Sequence, residues 1–165
     1  MLKNWGVIAT VFVVGLPAIA LLAGQMNLLA GRRPDDLGVR DGLLKPPVAR
    51  SWNSVSSQAG RHEHTDYHLI APLRYSGDAN AAFARLDQVV AGMQGATVVE
   101  RRPGYLYAQF QTRMLKFVDD VEFLLDAPAG VIHMRSASRL GRKDFGANRQ
   151  RLETIRQRFD ATAQR

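Results

Sequence analysis

The sequence predicts an α+β domain: an antiparallel β-meander of four to five strands with two helices packed on one face, preceded by an N-terminal membrane helix. Three observations carry this reading. A helical apolar stripe follows Asp78, segments with two-residue alternation come next, and a second helical stripe closes the chain. Helices at the two ends of a meander need no parallel crossover, which sets the class as α+β rather than α/β.

The first element stands apart. Gly6 to Gly24 is nineteen residues without a charge, and only Thr10 is clearly polar. At ~1.5 Å per residue this spans roughly 28 Å, close to the ~30 Å hydrocarbon thickness of a bilayer. Pro17 is compatible with a membrane helix, and a helix apolar all round is rare in so small a soluble protein. Ala18-Ile19-Ala20 and Lys3 have the form of a cleaved signal, but the apolar run continues through Leu21, Leu22 and Ala23, which favours a retained anchor. Lys3 and the amino terminus nearly balance Arg32 and Arg33 under the positive-inside rule, and the signal-like start tips the expectation toward an exported domain. There is no cysteine, so neither a lipoprotein anchor nor a disulfide is available.

The expected organisation is an anchor over 1–30, a linker or strap over 31–50, and the α+β domain over 51–165. Pro34, Gly38, Gly42, Pro46 and Pro47 mark the linker. A further strand is expected from His68 to Leu73. Asp78 is a helix N-cap, and Ala82, Phe83, Leu86, Val89, Val90 and Met93 form the stripe that ends at Gly92 and Gly95. Strands are expected at Thr97 to Glu100, Tyr105 to Thr112, Asp120 to Asp126 and Val131 to Ser138, with turns at Pro103-Gly104 and Ala127 to Gly130. The last helix is expected from Phe145 to Ala161, with Leu152, Ile155 and Phe159 on one side.

A register follows from the turn. If it centres on Pro128-Ala129, Phe123 faces Met134, Leu125 faces Ile132, and Glu122 faces Arg135 on the opposite side of the sheet. A one-residue slip would spoil both faces at once. One register for the neighbouring strand sets Tyr107 beside Glu122 and Gln109 beside Asp120. The resulting polar face either binds a ligand or lies beneath the strap.

Charge is uneven. From Arg135 to Arg158 there are eight basic residues against Asp144 and Glu153, a local +6. The candidate ligand-binding residues are therefore Asp120, Glu122, Arg135, Arg139, Arg142, Lys143, Asn148 and Arg149. The guanidinium groups and the amides at a helix start suit a phosphate or carboxylate; internal neutralisation by Asp119, Asp120 and Glu122 is the competing reading. Asp119, Asp120 and Glu122 do not make a convincing metal site, because Asp119 points to the other face. His62, His64 and His68 are a weaker metal candidate in a polar loop. No metal and no cofactor is assigned. Walker, dinucleotide-binding and nucleophile-elbow patterns do not occur.

These residues also carry a resemblance. Asn53-Ser54-Val55-Ser56-Ser57-Gln58, Phe117-Val118-Asp119-Asp120-Val121-Glu122-Phe123, and Arg135-Ser136-Ala137-Ser138-Arg139 through Gly141, Asp144, Gly146, Asn148, Arg149 and Arg151 occur in order. In them, from about Asp36 to Phe159, the chain resembles the bacterial and plastid domain-of-unknown-function family 1499. Its members often carry a signal or membrane segment in front. Their first motif commonly reads Pro-Asn-Cys-Val-Ser-Ser, whereas Trp52 and Ser54 stand here for the Pro and the Cys. Any thiol role is lost to this protein.

The leading functional expectation is a non-catalytic envelope domain, held at the bacterial inner membrane by its N-terminal helix with the soluble part periplasmic. Its expected partner is an anionic lipid or an acidic membrane protein. The alternative is a hydrolase using Asp120 and Glu122. Nucleic acid ranks third, because no aromatic-basic interleaving is present.

Overall fold

A computed structural model describes Trp5, Ile8 and residues 11–163. Its centre is one antiparallel sheet built from β1 (Ser54–Ser56), β2 (Leu73–Arg74), β3 (Ala96–Arg102), β4 (Tyr105–Gln111), β5 (Val118–Asp126) and β6 (Val131–Ser138). The order is β1-β6-β5-β4-β3, and β2 shares the β6 edge with β1. The meander is as expected, but among the described residues the sheet has six strands rather than four or five. The strand expected from His68 to Leu73 shrinks to Leu73–Arg74. His68 belongs instead to a 3-10 turn, Asp66–His68, where its Nδ1 accepts the Thr65 N–H at 3.0 Å and its Nε2 lies 2.7 Å from the Ser51 carbonyl.

Both expected registers hold. Glu122 faces Arg135 and Phe123 faces Met134; Tyr107 faces Glu122 and Gln109 faces Asp120. Alternation therefore sends Leu106, Ala108, Phe110, Val121, Phe123, Ile132 and Met134 to one side, where they form the core with two helices. These helices follow α1 (Leu16–Gln25) and are α2 (Ala79–Ala91) and α3 (Ala147–Ala163). Asp78 caps α2 by accepting the Ala81 N–H at 2.7 Å. Leu86 and Val90 of α2 and Leu152, Ile155 and Phe159 of α3 are buried on the sheet. Burying a Leu or Phe side chain is worth about 1.5–3 kcal/mol, so this layer supplies most of the driving force.

The last helix starts two residues later than its pattern suggests. Phe145 has φ 52° and Gly146 φ 88°, left-handed values that cannot begin an α-helix.

Part of the expected membrane segment (Gly6, Val7, Ala9 and Thr10) lies outside the described residues. Within them a π turn, Val11–Gly15, leads into α1, and no helix is long and apolar enough to cross a membrane. The turn lies just upstream of Pro17, which lacks the N–H that a continuous α ladder would use.

Candidate functional site

The side of the sheet away from the helices is polar and closed. Residues 31–50 cross it as a strap, with Leu44 buried against Tyr105 and Tyr107. Beneath the strap the Glu122 carboxylate accepts from Arg135 Nη1 at 2.9 Å, Tyr105 OH at 2.9 Å and the Gly38 N–H at 2.7 Å. One register step along, Asp120 is held by two nitrogens of Arg139, Nη2 at 2.7 Å and Nε at 3.0 Å. The Tyr107 hydroxyl donates to Asp120 at 2.6 Å and accepts from Gln109. Burial and the Glu122 carboxylate push the Tyr105 phenol pKa up; burial and the hydrogen bond to Asp120 do the same for Tyr107. Burial works against the Arg139 charge, but Asp120 more than restores it and raises the pKa. Gln58 ties the strap down, accepting from the Leu44 N–H at 2.9 Å and donating to the Gly42 carbonyl at 3.1 Å. Four of the expected site residues, Asp120, Glu122, Arg135 and Arg139, are thus brought together as two closed ion pairs.

The helix side carries a second network at one corner. Asp119 turns the other way, as alternation requires, and accepts from Arg151 Nη2 at 2.5 Å. Asn148, fully buried in the first turn of α3, lies between strand and helix. Its amide donates to the Asn53 carbonyl at 3.0 Å, Ser138 Oγ at 2.9 Å and Asp144 Oδ2 at 2.7 Å. Its oxygen accepts from Ser136 Oγ and Arg151 Nη1. Arg149 donates to the carbonyls of Tyr67 and Leu69, both at 2.8 Å, and so fixes the segment before β2. Much of the basic cluster is therefore internal. The histidines do not converge: His68 is buried in its turn, while the His64 ring bonds the His62 carbonyl. Among the described residues no three His, Asp or Glu side chains are placed to hold a metal ion.

Among the described residues four buried side-chain atoms lack a hydrogen-bond partner: Ser54 Oγ, His62 Nε2, Arg85 Nε and Arg135 Nε. Ser54 Oγ, on the strap side of β1, makes no hydrogen bond and is 3% exposed. An unmet buried hydroxyl costs about 1–3 kcal/mol. Ser54→Cys, which supplies a less polar atom of similar shape, is expected to raise stability by about 1 kcal/mol, read as a higher urea midpoint. A lower midpoint would mean that the hydroxyl is satisfied after all.

The open part of the molecule is one end of the sheet. The β4–β5 loop, the lead-in to β1 and residues 139–146 meet there. The Trp52 N–H donates to the Arg142 carbonyl at 2.7 Å, and the Asp144 N–H donates back to the Trp52 carbonyl at 3.0 Å. The Asp144 carboxylate then accepts from the amides of Gly146 at 2.9 Å and Asn148 at 3.1 Å, and from the Tyr67 hydroxyl. Burial works to raise the Asp144 pKa, but these donors outweigh it and hold the group below its usual value. Burial and Asp144 together push Tyr67 up to about 12. On this rigid turn Arg142 and Lys143 face solvent, with the Lys143 ammonium 4.7 Å from the centre of the Trp52 ring. Of the expected site residues these two alone remain free to meet a large ligand. Arg113 and Lys116, which the expected site did not include, lie on the neighbouring β4–β5 loop. None of the four cations is in an ion pair among the described residues.

The N-terminal helix ends at the same place. Gln25 Nε2 donates to the Met114 carbonyl at 3.1 Å, and buried Gly24 lies on Leu115 so closely that a Cβ would come within 2.7 Å of its carbonyl oxygen. Only glycine permits this approach. The next residues pass along the loop after β6: a Cβ on Gly31, at φ 66°, would lie 2.8 Å from Arg139 Cβ.

A family model described as "Protein of unknown function (DUF1499)" matches residues 46–159, from the end of the strap to the last turns of α3. No curated protein and no solved structure matches the chain.

Proposed function

The chain belongs to the DUF1499 family, and from that premise we propose that it is a non-catalytic domain tethered to a bilayer, whose basic end meets anionic headgroups. The observation that carries this reading is the coincidence of two features at one end of the sheet. The apolar N-terminal run finishes against Leu115 of the β4–β5 loop, which also carries the unpaired cations Arg113 and Lys116, while Arg142 and Lys143 lie on the neighbouring loop after β6. Each such cation near an anionic membrane surface contributes about 1 kcal/mol. The signal-like start favours the inner membrane of a bacterium, with the domain on the periplasmic side.

Catalysis by Asp120 and Glu122 finds little support. Each carboxylate is paired with an arginine under the strap, so neither is free to move a proton at a substrate.

The tether is tested on membranes carrying the full chain: it stays in the pellet on alkaline carbonate extraction, and release into the supernatant would end the reading. The headgroup contact is tested with the full chain in neutral detergent, retained on beads coated with phosphatidylglycerol. Retention is expected to fall as salt rises, and Arg142→Gln with Lys143→Gln to weaken it by roughly thirty-fold at low salt. Equal retention of the double variant would refute the contact.

A further inference from the structure

We infer that the turn holding Phe145 is an interfacial wedge: Phe145, with Leu140 and the exposed edge of Trp52, enters the acyl boundary of an anionic phospholipid bilayer while Arg142 and Lys143 stay at the phosphates. This rests on the tethered reading and deepens it. Phe145 is 96% exposed, whereas Phe110, Phe123 and Phe159 are buried. Its exposure is not slack. The ring projects from a residue at φ 52°, a backbone state that an aromatic side chain rarely adopts. Hydrogen bonds fix the chain on both sides of it, from Asp144 to Trp52 before and from Gly146 and Asn148 to Asp144 after. These bonds fix the backbone from which the ring projects.

Its neighbours share the character. Leu140 is 41% and Trp52 45% exposed, and a cleft of about 340 Å³ lined by Phe117, Leu140 and Phe145 joins the turn to the β4–β5 loop on which α1 ends. Met114 in that loop is 64% exposed. Because Gly24 is both the end of the apolar run and the point of contact with Leu115, no spacer separates helix from domain. A bilayer holding the apolar run therefore lies within reach of the wedge.

Charge selects the occupant. Arg142, Lys143, Arg113 and Lys116 complement phosphate, while a second copy presenting the same face would oppose cation to cation. Aromatic and aliphatic tips beside basic residues suit the headgroup–acyl boundary.

The experiment uses the full chain with Trp5→Phe, leaving Trp52 as the single tryptophan, in vesicles of phosphatidylcholine and phosphatidylglycerol brominated near the headgroup. Trp52 emission is expected to be quenched. Phe145→Asn suits the left-handed backbone and should keep the turn intact, but it should shift the insertion equilibrium roughly ten-fold toward the withdrawn state and reduce the quenching. Phe145→Leu should retain it. If the chain stays in the membrane through carbonate extraction and Trp52 is not quenched, the wedge is overturned and the tether stands. If the chain is released, the tethered reading itself fails. Trp52 shielded from aqueous acrylamide yet untouched by brominated lipid would identify a protein occupant, which also overturns the wedge.

Discussion

Replacing Arg135 by Met is expected to cost about 3–5 kcal/mol of folding stability. The size follows from what the change leaves behind. Glu122 is fully buried and Arg135 is 4% exposed, so no solvent takes over when the guanidinium is gone. The carboxylate would keep the Tyr105 hydroxyl and the Gly38 amide, two neutral donors, and lose its one direct cation. Urea denaturation of Arg135→Met, Glu122→Leu and the double variant closes the cycle. The double variant should recover part of the loss, because two unpartnered donors are milder than a buried charge. A cost below about 1 kcal/mol for Arg135→Met would mean that the strap opens readily and the face is wet.

Asn148→Ala should be nearly as damaging, at about 3 kcal/mol or more, since each buried polar group left without a partner costs about 1–3 kcal/mol. One side chain holds three separated pieces of chain: the Asn53 carbonyl before β1, Ser136 and Ser138 in β6, and Asp144 ahead of α3. Its removal is expected to lower the melting temperature by roughly 6–12 °C and to speed amide exchange at Trp52 and Asp144, whose backbones are bonded to each other. A melting loss without faster exchange at those two amides would show that Asn148 serves the helix alone. Asn148→Asp should not rescue the protein, because it restores the acceptor but aims a second carboxylate at Asp144.

How much of this was legible in the sequence varies by element, for physical reasons. The β5–β6 register was readable because alternation and opposite charges agree on both faces of the sheet, so that Glu122 and Arg135 could meet in only one way. The β4–β5 register was only one of those open, because β4 carries no charge and a shift of two residues keeps every side chain on its face; the structure takes the one with Tyr107 beside Glu122. The fate of those charges was not readable. Whether they face water depends on residues 31–50, which have no helical or strand period and are held by single contacts such as Gly38 to Glu122 and Gln58 to Leu44. Asn148, a candidate ligand contact by its sequence, is a buried structural residue, and the sequence holds a signal of this. Asn148 precedes Leu152, Ile155 and Phe159 at helical spacing on the same stripe, and a polar residue on a core stripe must find buried partners. The sequence pattern extends the helix to Phe145, because an aromatic residue gives no warning that its backbone is left-handed. Gly24 looked like one more small residue in an apolar run; its contact with Leu115 depends on a loop about ninety residues away.

The strap has a consequence for the order of events during synthesis. Gly38 bonds to Glu122 across 84 residues, so the strap leaves the ribosome long before its seat exists. It can close only after β5, which carries Glu122, has emerged. Until then Leu44, Tyr105 and Tyr107 stand uncovered, and so do the carboxylates and guanidiniums between them. Closure of so distant a contact is entropically costly and late, which makes the nascent chain most exposed to aggregation and proteolysis in the interval before its final third is made.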